Sequence, residues 1–167
     1  MKSLRILLVL GLVIGGLGLS ACDDDDDNGG TNPNPTPEED PWVGEWFMED
    51  DNVPTILTDF LNIKNVRVTL RDDNTITTVE TDSTDNVTTR EGTYTVGATA
   101  TNGIRDFTTN YNDGLSQVGI MEVVEGTPDI LKLELVPEGG TTPPATPAGG
   151  FGTTAPNDGN VQRYELQ

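Results

Sequence analysis

Ile130-Leu131-Lys132-Leu133-Glu134-Leu135 alternates apolar and charged side chains, the period-two pattern of an extended strand. Leu131, Leu133 and Leu135 share one face of that strand, Lys132 and Glu134 the other, so one face is expected buried and the other wet. Outward toward the N-terminus, Gly126-Thr127-Pro128 and Asn112-Asp113-Gly114 are turn-forming and bound two more strand-like segments, Gln117 to Val124 and Ile104 to Tyr111. Before them lie Val87 to Val96, with Tyr94 and Val96 on one face, and Thr75 to Thr81, with Ile76 and Val79 as its apolar members. Val66, Val68 and Leu70 oppose Arg67, Thr69 and Arg71 in another, and polar turns at Asp72-Asp73-Asn74 and Asp82 to Asn86 join these runs. Trp42 to Met48, rich in aromatic and β-branched residues, reads as the first strand. Between it and Val66, Asn52 can cap a helix with Pro54 in its first turn, and Ile56, Leu57, Phe60 and Leu61 form one apolar face that needs a cover.

Toward the C-terminus, residues 137–160 are rich in Gly, Thr, Pro and Ala and are read as a low-complexity loop without structure of its own. Val161 to Leu166 closes the chain, with Val161, Arg163 and Glu165 alternating against Gln162, Tyr164 and Leu166. Eight strands joined by short turns, with no crossover helix, predict an all-β domain over residues 42–167 with antiparallel neighbours. An eight-stranded up-and-down barrel is the expected architecture, of a size that holds side chains or one small ligand. A β-sandwich is the competing fold, because strand count does not choose between closure and stacking.

Composition narrows the chemistry. Histidine is absent, which removes the commonest general base, the usual partner of a nucleophilic serine and the commonest metal ligand. Acidic residues number 28 against 9 basic, a balance unsuited to nucleic-acid phosphates or to anionic lipid headgroups. It favours solubility and self-repulsion, hence a monomer. Carboxylates fall almost entirely in turns and on wet strand faces, Ser83 and Ser116 have no histidine partner, and no Gly-x-Ser-x-Gly elbow is present. The chain is therefore expected not to be an enzyme, and to carry neither a cofactor nor a metal.

Residues 1–21 have the layout of a secretory signal peptide: Lys2 and Arg5, then an apolar run from Ile6 to Leu19 ending in small residues. As a helix that run covers roughly 21 Å of a ~30 Å hydrocarbon core, too little to span it. Leu19-Ser20-Ala21-Cys22 contains the sole cysteine and resembles the lipobox of bacterial lipoproteins. The resemblance implies cleavage before Cys22 and its acylation, with palmitate among the chains attached. Asp23 to Asp27 and the proline-rich segment to Pro41 make residues 22–41 an acidic, disordered tether. An acidic run after an acylated cysteine resembles the surface-export signal of Bacteroidota lipoproteins, which implies an outer-membrane anchor with the domain facing outward. Asp23 alone would, in enteric bacteria, resemble an inner-membrane retention signal, and a periplasm-facing or inner-membrane protein is the alternative.

Gly44-x-Trp46 in the first strand and Gly92-x-Tyr94 in the fourth, with the strand count and the leader, resemble the lipocalin-like domain of many Bacteroidota lipoproteins. In lipocalins the tryptophan packs beneath an arginine from the last strand, and the resemblance implies that part for Arg163. The Thr-Asp-Tyr turn of lipocalins is missing, Thr58-Asp59-Phe60 lying instead before the second strand. Trp42, Phe107 and Tyr111 are candidates to line a cup, and Asp82-Ser83-Thr84 resembles a Bacteroidota O-glycosylation site at Ser83. The expected function is non-enzymatic binding of a small apolar ligand or an envelope partner. The alternative is an accessory lipoprotein with a filled barrel that acts by docking to another protein.

Overall fold

Val66, Val68 and Leu70 are all buried, with Arg67 exposed between them, and this alternation repeats around a closed wall of strands. The structure is a computed structural model and describes residues 40–99 and 102–167. Cys22 and the segments expected to form a leader and, as far as Glu39, a tether lie outside the described residues. Eight strands run β1 (Gly44–Glu49), β2 (Ile63–Leu70), β3 (Thr75–Asp82), β4 (Val87–Thr99), β5 (Arg105–Tyr111), β6 (Ser116–Val124), β7 (Ile130–Pro137) and β8 (Gln162–Leu166), with α1 (Thr55–Leu61) between β1 and β2. Each strand pairs antiparallel with its chain neighbours. Trp46 opposite Leu166 and Phe47 opposite Glu165 join β1 to β8, so the sheet closes on itself. The sandwich alternative is thereby set aside: among the described residues all eight strands belong to one closed sheet, with no second sheet to pack face to face.

The turns form where short polar residues tolerate left-handed backbone. Asn74 and Asp85 have φ of 63° and 64° in the β2–β3 and β3–β4 connections, and Gly114 has 92° in β5–β6. Asp82 holds its hairpin by accepting hydrogen bonds from the Thr84 and Asn86 backbone N–H groups at 2.8 and 2.9 Å.

One end of the barrel is filled. Trp46, Met48, Leu70, Ile76, Tyr94 and Phe107 belong to one buried cluster, with the Tyr94 and Phe107 ring centroids 5.8 Å apart. Two glycines stand opposite aromatics, Gly119 across from Phe107 and Gly92 across from Tyr111. A Cβ on Gly119 would run into the Glu134 carbonyl, so the backbones there pack closer than any side chain allows.

Residues 138–160, within the segment 137–160 expected to lack structure, form a strap over the outer face of β6 and β7. Ala145 and Phe151 of the strap pack on Ile104 and Ile120, and Asn160 donates to the Leu135 carbonyl at 2.8 Å. Glu134, expected on the wet face, is fully buried beneath the strap. Its carboxylate accepts from the Gly152 N–H at 2.6 Å, and from the N–H and hydroxyl of Thr154, both at 2.7 Å. Three donors replace its water, which is what a buried carboxylate requires.

The helix also differs from expectation. It begins after Pro54 with no side-chain cap, and Asn52 instead donates to Glu165 at 3.4 Å. Its apolar face is only partly covered: Leu57 packs against the core, whereas Phe60 is 79% and Leu61 60% exposed.

A candidate ligand cup at the helix end of the barrel

In an up-and-down barrel the odd strands all start at one end, and here that end carries Trp42, Trp46 and the closed core. At the opposite end, beneath α1, the interior is hollow, with a cavity of about 410 Å³. That volume lies within the range of small-molecule sites. Its deeper wall is apolar, built from Val68, Ile76, Phe107 and Leu133.

Above this floor runs a belt of neutral hydrogen-bonding groups. The Tyr111 and Thr78 hydroxyls lie 2.8 Å apart, the Thr109 hydroxyl donates to Gln117 Oε1 at 3.4 Å, and the Tyr164 hydroxyl donates to Gln162 Oε1 at 2.5 Å. Burial pushes the Tyr111 phenol up and holds the Tyr164 phenol well above its ordinary value, because a phenolate there would lose its water. Both remain neutral donors across the physiological range.

The lining includes one carboxylate, Glu80, and one cation, Arg90. They pair with each other at 2.5 Å, and Arg90 Nε also meets Asp113 Oδ2 at 3.0 Å. The hydrogen bond that Arg90 donates to Glu80 raises its pKa further, so the guanidinium stays charged with two carboxylates on it. Leu57 and Leu61 of α1 and Ile63 of β2 complete the rim.

Of the aromatic residues expected to line a cup, Phe107 and Tyr111 do so. Trp42 stands at the other end, where Arg105 stacks 4.7 Å from its ring centroid and its carbonyl accepts from Trp46 Nε1 at 2.9 Å. The role implied for Arg163 is not seen. Tyr164 and Gln162 take the inward positions of β8, so Arg163 lies on the outer face opposite Lys132, with a guanidinium nitrogen 3.8 Å from Asp158. The stacked cation at the closed end comes from β5, through Arg105 on Trp42, and not from the last strand. Gly44 opens β1 where a Cβ would press within 2.9 Å of Leu166 Cδ1, at the β1–β8 seam.

The polar cup residues Thr78, Glu80, Arg90, Thr109, Gln117, Gln162 and Tyr164 were missed by the sequence reading. Val79, grouped there with Ile76, lies on the other face, and Ile76, Thr78 and Glu80 form the inward row of β3. Ser83 is exposed in the β3–β4 turn, its N–H donating to the Asn62 carbonyl at 2.8 Å. Among the described residues no group of three or more acidic, histidine or cysteine side chains is placed to hold a metal ion, and no helix is long and apolar enough to cross a membrane. Comparison of the chain with models of protein families, with curated proteins and with solved structures finds no match.

Proposed function

We propose that this is a lipid-anchored binding module of lipocalin-like type, in which the cup holds a small, largely apolar molecule without transforming it. The observation that carries the reading is the hollow beneath α1, apolar at its floor and ringed higher up by neutral hydrogen-bonding groups. Such a lining suits retention by apolar burial with a few orienting contacts. A non-enzymatic role is supported by the absence of histidine and by the ion pairing of the one carboxylate in the cup. Anchoring through acylated Cys22 at the outer membrane, with the domain facing outward on its acidic tether, rests on the lipobox resemblance and on Asp23 to Asp27. Native mass spectrometry of the protein taken from its host tests the binding role: a non-covalent small molecule at one per chain is expected, and a bare chain contradicts it. Labelled palmitate is expected to enter the wild-type protein and not Cys22→Ser; equal labelling of both removes the anchor.

A second reading, docking to an envelope protein, is favoured by one feature, the exposed Ile56, Phe60 and Leu61 on α1. Under it, crosslinking from Phe60 in intact cells captures a single partner, and Phe60→Ser abolishes the product. Capture of nothing from a correctly localised protein rejects it.

A further inference from the structure

We infer that the cup selects uncharged ligands, accepting a neutral molecule that carries a hydroxyl, carbonyl or aryl amine and turning away the carboxylate or sulfonate of the same skeleton. This rests on the binding role proposed above and deepens it. A cavity that takes an anion offers it a free cation or a set of free N–H donors. Here the one lining cation, Arg90, already holds Glu80 at 2.5 Å and Asp113 at 3.0 Å. An entering anion would have to displace one of those carboxylates, or sit unpaired beside Glu80 in a partly desolvated space. The surroundings act in the same direction. The helix and turns at that end carry Asp59, Asp82, Asp113 and Glu138, and the whole chain has a formal charge of -19. Such a field lowers the local concentration of anions before they reach the mouth.

A cation fares no better inside, because Glu80 is occupied by Arg90. What the cup leaves available is hydroxyl and amide chemistry. The Thr78–Tyr111 hydroxyl pair can donate or accept at either oxygen, and the Tyr164 hydroxyl and Gln162 amide add a second donor–acceptor set. A neutral polar group can join these bonds without leaving a charge unmatched, while the rest of the molecule lies against Val68, Ile76, Phe107 and Leu133.

Two dyes with one skeleton separate the possibilities: neutral N-phenylnaphthylamine and its anionic counterpart, anilinonaphthalene sulfonate. The expected result is saturable fluorescence enhancement with the neutral dye at one per chain, and affinity for the anionic dye weaker by about tenfold or more. Gln117→Trp, on the rigid wall of β6, fills the cup and is expected to abolish the enhancement with far-ultraviolet circular dichroism unchanged. Phe60→Ser, on the exposed helix face, is expected to leave it intact. Glu80→Gln frees one side of Arg90 and is expected to strengthen the anionic dye severalfold relative to the neutral one. Equal affinity for both dyes, with both lost in Gln117→Trp, overturns charge selection and leaves the cup standing. Neither dye binding, or binding lost in Phe60→Ser and kept in Gln117→Trp, overturns the cup and the selection together.

Discussion

Glu134 shows how one carboxylate fixes the fate of a whole segment. The strap crossing β7 offers the Gly152 N–H together with the N–H and hydroxyl of Thr154, and all three converge on that side chain. Replacing it with alanine strands these donors in a buried site, at a cost of about 3 kcal/mol. Chemical denaturation of Glu134→Ala is therefore expected to show that loss, with proteolytic cutting near Gly149 and Gly150 while the strands survive. A variant within about 0.5 kcal/mol of the parent, its strap as resistant as before, contradicts the anchor. Asp82 gives a pH signature at the same scale. Hydrogen bonds from the Asn86 side chain and backbone, and then from Thr84, lower its carboxyl from 3.8 to about 2. A depressed carboxyl contributes stability that is complete above its unfolded value and is lost as pH falls through the folded one. The β3–β4 turn is thus expected to hold at pH 4 and to loosen as the pH falls toward about 2. Carboxyl resonances followed by nuclear magnetic resonance check this: a midpoint for Asp82 at the ordinary value contradicts it.

At the scale of elements, β6 and β7 pair closely because Gly119 has no side chain to hold them apart. Gly119→Ala drives a methyl group into the Glu134 backbone, and thermal unfolding is expected to show a loss of about 2 kcal/mol. An unchanged melting temperature would mean that the two strands are free to move apart. Strand existence was legible here from simple alternation, since Leu131, Leu133 and Leu135 all face the interior as their spacing says. The other face of β7 was not legible. Glu134 and Val136 are buried by a strap whose glycines, prolines and threonines carry no periodic signal. A trace of it was present in β6, where Val118 and Ile120 are apolar on the face opposite Met121, too much for a strand wet on one side. The helix was found by its apolar spacing, but Phe60 and Leu61 remain exposed because α1 meets the barrel at its hollow end, where less wall lies beneath it.

For the whole molecule, eight strands and short turns made a barrel the expected form, and closure through β1 and β8 is what separates it from a sandwich. The strand count also held information about the cup. Trp42 precedes the start of an odd strand and Tyr111 ends another, so an up-and-down barrel puts them at opposite ends. Grouping them ignored that parity, as placing Arg163 over Trp46 ignored the inward positions of Gln162 and Tyr164. The polar belt escaped notice because threonine and glutamine on a strand look like solvent-facing residues until the inward row is known.

The ligand space proposed for this molecule is the hollow at the helix end of the barrel. Methyl resonances recorded while N-phenylnaphthylamine is titrated in test it most directly. Val66, Val68, Ile76, Leu133 and Leu135 line that space, whereas Ile104 and Ile120 lie beneath the strap outside the wall. Saturable shifts in the first group with the second unmoved are expected; shifts confined to Ile56 on the outside of the helix, or none at all, would contradict binding in the cup.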